Sequence, residues 1–112
     1  MTLNETTAME AARAMARRLW TQGGSTDAER LAYGFRLCTG RVPTATEAAV
    51  LAGLLEKEGK RFADGLANPW EVATGLNQKP GDLPKGATPT SLASYTLVSR
   101  VLLNLDETIT KE

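Results

Sequence analysis

The chain has 112 residues, 42% hydrophobic and 23% charged, with a formal net charge of zero, which is the balance of an ordinary folded domain. It has no histidine and one cysteine, Cys38, so imidazole bases, histidine-containing zinc sites, CxxCH haem attachment and any intrachain disulfide drop out together. Collagen-like, disordered and membrane-spanning chains are excluded by the same figures.

The opening MTLNETTAMEAARAMARRLW sets Glu10, Arg13, Arg17 and Arg18 among its apolar positions. It therefore offers neither the unbroken apolar core of a signal peptide nor a run able to cross a bilayer. Ala8, Met9, Ala12, Met15, Ala16, Leu19 and Trp20 recur at steps of three and four, the spacing that lines one face of a helix. Gly23 and Gly24 are its expected stop. Between positions 13 and 41, six arginines (13, 17, 18, 30, 36 and 41) face only Asp27 and Glu29. The simplest account of that basic shoulder is solvated helix faces and partners for nearby carboxylates.

Thr26 followed by Glu29 spells a capping box: the hydroxyl accepts an orphan backbone N–H and the glutamate reaches back to the cap. A second helix is predicted from there, with a stripe of Ala28, Leu31, Ala32, Phe35 and Cys38, ending at Gly40. Pro43 blocks continuation, and Thr44 with Glu47 repeats the box ahead of a third stripe of Ala48, Leu51, Ala52, Leu55 and Phe62. Gly65 is a candidate terminator. Asn68, Pro69 and Glu71 then predict a short helix over Trp70 to Leu76. Residues 77–90 carry prolines and glycines without periodicity and read as a long, mostly solvated loop. Cys38 falls in an apolar pattern and is expected to pack as a small hydrophobe.

The last helix, starting near Thr88 or Thr90, is apolar nearly all round. Tyr95, Val98, Val101, Leu102, Leu105 and Ile109 share one face, with Leu92, Leu97 and Leu103 on the flanks. Such a helix is covered on several sides, so it is expected to be the element the others pack against. The prediction is a single all-α domain over residues 1–112, a bundle of four main helices plus a short one.

The junction FRLCTGRVPTATEAAVL, the terminal YTLVSRVLLNLDETITKE and the opening TLNETTAMEAARAMARRL together resemble the C-terminal end of the planctomycete-type domain of unknown function 1553. Proteins of that family are typically large, exported and bacterial, often with a cytochrome c-like segment upstream. The resemblance implies an extracytoplasmic C-terminal module whose partners are neighbouring domains of a parent protein or another protein. Without CxxCH, haem binding transfers to no residue here, and no cofactor is expected.

Arg41, in the GRxPT turn, is expected to tie to Asp106 at the edge of the last helix, since a guanidinium fork suits a carboxylate and exposed carbonyls. Asp106 and Glu107 as an acid pair or metal site is disfavoured, because adjacent helical residues diverge by roughly 100°. Ser91, Ser94 and Ser99 lack a histidine to activate them, so no catalytic residue is assigned. Trp20, Trp70 and Tyr95 would make a small-molecule or glycan platform if exposed together, although their apolar stripes favour core packing. A helix-turn-helix reading ranks third. Its recognition helix would present Glu47, Glu56 and Glu58 to phosphates, so nucleic acid is not an expected partner.

Overall fold

The computed structural model describes the backbone of residues 5–75 and 83–110 and the side chains of 7–75 and 83–105. Within them lie five helices and no strand: α1 Glu5–Gln22, α2 Asp27–Thr39, α3 Ala45–Ala63, α4 Pro69–Thr74 and α5 Pro89–Thr110. Each boundary follows from local chemistry. Thr26 and Thr44 both form complete capping boxes with Glu29 and Glu47. Backbone N–H groups of Ser25 and Thr26 hold the Glu29 carboxyl below its ordinary pKa. Gly40 closes α2 in the left-handed conformation, at φ 79°, and its N–H bonds the Arg36 carbonyl.

α4 departs from the expected span. It begins at Pro69, with Asn68 accepting from the N–H groups of Trp70 and Glu71, and ends at Thr74 because Gly75 turns left-handed. Residues 76–82 lie outside the described part of the chain, so the first half of the predicted 77–90 loop is not placed. Its second half is not a free loop. Leu83 packs against the core, the Lys85 carbonyl accepts from Trp20 Nε1 at 2.9 Å, and α5 has begun by Pro89. Thr88 and Ser91 cap α5 reciprocally, at 2.9 and 3.0 Å, with proline in the first helical position where a missing N–H costs nothing.

α5 is the hub. α3, α2, α1 and α4 all pack against it, and α2 also touches α1 and α3. Its burial is nearly circumferential over residues 92–99: Leu92, Ala93, Ser94, Tyr95, Thr96, Val98 and Ser99 are all buried, and Leu102 continues the stripe. Farther along, the covered face narrows. Val101 and Leu105, expected inside, are exposed at 39% and 36%. Val101 lies one residue, or about 100°, from Leu102, so once neighbours cover only one side the helix can bury just one of them. The expected position of Ile109 falls outside the described side chains.

Three hydroxyls share this buried zone. Ser94 and Thr96 donate to the carbonyls four residues back, at 2.7 and 2.8 Å, which satisfies them inside the helix. Ser99 Oγ is buried without a hydrogen-bond partner. On α2 the closest approach is made at Gly34, which is buried: a Cβ there would lie 2.8 Å from both Leu102 Cδ1 and Leu19 Cδ2. The missing side chain is what lets α1, α2 and α5 meet.

Candidate functional site

Arg41 follows Gly40, so the left-handed cap aims it back over its own helix end. Its guanidinium lies 5.0 Å from the Phe35 ring centre and donates both Nη1 and Nη2 to Glu47, each at 2.8 Å. Glu47 also accepts the Thr44 N–H at 2.9 Å. The tie to Arg41 is thus made within the α2–α3 turn, while the expected partner, Asp106, has its side chain outside the described residues. Hydrogen bonds from Arg41, then from the Thr44 N–H, pull the Glu47 carboxyl down to about 2 from its ordinary 4.5. A depressed folded-state pKa contributes stability that is complete above pH 4.5 and lost as pH falls toward 2. Glu47→Gln is accordingly expected to flatten the pH dependence of unfolding in that window, as followed by denaturant titration. A carboxyl resonance of Glu47 titrating at the ordinary value would contradict the assignment.

Three other arginines of the basic shoulder are used in ways their sequence positions did not suggest. Arg13 on α1 donates Nε to the Val72 carbonyl at 2.8 Å, satisfying an orphan acceptor at the end of α4. Arg18 donates to the Tyr33 hydroxyl at 3.1 Å, which in turn donates to Gln22. Arg30 stacks 3.8 Å from the Trp20 ring centre. These four arginines thus make separate ties between helices and turns, and Arg41 pairs with the Glu47 carboxylate.

The three aromatics do not share an exposed face. Trp20 meets Tyr95 edge-on, with centroids 5.8 Å apart at 78°. Arg30 lies over the Trp20 ring and Lys85 holds its nitrogen. Tyr95 is 1% exposed and its hydroxyl donates to Asp27. Burial first, and Asp27 second, push the Tyr95 hydroxyl well above its ordinary pKa. Trp70 sits apart on α4, half-buried. A flat sugar platform needs open ring faces, and Trp20 and Tyr95 have theirs occupied.

Sequence reasoning missed a cleft of about 460 Å³ between the start of α2, the middle of α3 and the first turns of α5. It opens where short side chains oppose one another: Ala52 and Gly59 from α3, Ser91 and Ser94 from α5. Leu55 gives it an apolar wall, Tyr95 closes it from beneath with almost no exposed surface, and Asp27 and Glu56 are the charged groups on its lining. Both serines are already committed to backbone acceptors, Ser91 to Thr88 and Ser94 to Thr90. Smallness at α3 positions 52 and 59, seven residues apart on one helical face, was the available signal.

Among the described residues no three His, Cys, Asp or Glu side chains are grouped to hold a metal ion, and no helix is long and apolar enough to cross a membrane. No protein-family model, curated protein or solved structure matches the chain.

Proposed function

We propose that this chain is a non-catalytic interaction module that docks onto a neighbouring domain or another protein through the outer face of α3 and the turn before it. The carrying observation is the surface of residues 45–55. Ala45, Thr46, Ala48, Ala49, Val50 and Gly53 are all exposed, and the one charged side chain in the span, Glu47, is held by Arg41. Val42 and Val50, each 65% exposed, project from the same turn and helix. Depletion of charge distinguishes the centre of a protein interface from ordinary surface, and small side chains let a second backbone come close.

The resemblance to the planctomycete-type domain supplies the context of this proposal: a C-terminal module of an exported, multidomain bacterial protein. A binding role is supported by the chemistry of α5, which is built for packing and whose serines are either tied to carbonyls or sealed in the core. A cysteine placed at Val50, in a Cys38→Ala background, tests the docking face. It is expected to react with a maleimide rapidly in the purified chain and several-fold more slowly in the protein as expressed in its native host. Equal rates in both settings would contradict the proposal.

A further inference from the structure

We propose that the cleft between α3 and the start of α5 binds a small alkylammonium ion, its hydrocarbon body along Ala52 and Leu55 and its charged head between Asp27 and Glu56. This goes beyond the docking role and does not depend on it. A volume of about 460 Å³ is that of a small-molecule pocket. The cleft exists because residues 52, 59, 91 and 94 are too short to fill it. At its floor the helices are close, since a Cβ on Gly59 would lie 3.5 Å from Ser94 Oγ.

Charge selects the occupant. Asp27 and Glu56 line the cleft and no lysine or arginine does. Asp27 spends Oδ1 on the Tyr95 hydroxyl, which leaves Oδ2 for a donor. Among the described residues no hydrogen bond or ion pair engages the Glu56 carboxylate. Arg30, which also approaches the Tyr95 hydroxyl, has its guanidinium over Trp20 and does not line the cleft. The N-termini of α2 and α5 point a positive helix end this way, yet Thr26 and Thr88 hydroxyls already accept the Glu29 and Ser91 N–H groups. An anion would meet two carboxylates there; an ammonium supplies three donors to acceptors that lack them.

The test is an amide NMR titration of the full chain with n-pentylammonium chloride, with n-pentanol and sodium pentanoate as matched controls. Pentylammonium is expected to give saturable shifts clustered on Leu55, Glu56, Gly59 and Ser94, with pentanol and pentanoate binding more weakly. Glu56→Gln, an exposed change that keeps the fold, is expected to weaken binding about tenfold, the value of one charge-assisted hydrogen bond. Asp27→Asn keeps an acceptor for Tyr95 and is expected to weaken it similarly. Pentanol binding as tightly as the amine, tighter binding of pentanoate, absence of saturable shifts, or indifference to both substitutions would each overturn the proposal.

Discussion

Leu102→Ala is expected to lower the unfolding free energy by about 2–5 kcal/mol, a large share of the stability of a domain this size. Leu102 is fully buried, with a methyl group at the point where Gly34 brings α2 onto α5 beside Leu19. Truncating it leaves a cavity walled by three helices. Gly34 has no side chain to move in, and Leu19 is already packed at the same spot, so collapse into the space is limited. The neighbouring Val101→Ala removes methyl groups that stand 39% exposed and is expected to fall within about 0.5 kcal/mol of the parent. Sequence alone puts the two residues on one apolar face, so the contrast between them, read by urea unfolding with unchanged m-value, tests the rotation of α5. Equal costs would mean the helix is turned differently.

Tyr95→Ala is expected to cost about 3–5 kcal/mol, and Tyr95→Phe about 1 kcal/mol, which separates ring packing from the hydroxyl. The ring fills the junction of α1, α2 and α5 and meets Trp20 edge-on. Its hydroxyl donates to Asp27, the first residue of α2. The two substitutions also differ in pH dependence. A tyrosine whose folded-state pKa is raised contributes stability that is complete below its ordinary value of 10.0 and is lost as pH rises beyond it. Wild type is therefore expected to lose stability above pH 10 more steeply than Tyr95→Phe. Parallel alkaline profiles would place the hydroxyl in water.

Much of the fold was legible because it is written in local chemistry. The Thr26–Glu29 and Thr44–Glu47 boxes, the Asn68–Pro69 start and the Gly40 stop each act within a few residues, so their spacing is enough to place them. The central position of α5 was legible for a different reason: a helix apolar on nearly every side has to be covered. The same property hid its rotation, since so narrow a polar side fixes the phase poorly. Ala93, Ser94, Thr96 and Ser99 are buried where leucines were expected to lead, and Val101 and Leu105 are left outside.

The sites were less legible. The expected Arg41–Asp106 tie falls on a side chain outside the described residues; the pairing that is described, with Glu47 six residues away, uses one carboxylate for both cap and guanidinium. The Asp27–Tyr95 bond and the cleft beside it join residues 68 positions apart. Only packing creates such neighbours, and the absence of bulk at Ala52 and Gly59 acquires meaning once α3 lies against α5.

Every placement above depends on α5 being what the other helices surround. Native-state hydrogen exchange, read amide by amide, tests that most directly. The slowest exchange is expected at residues 92–102 of α5, opening only with global unfolding, while residues 45–50 of α3 exchange through smaller local openings. An α5 whose amides exchange as fast as those of the exposed start of α3 would contradict the account.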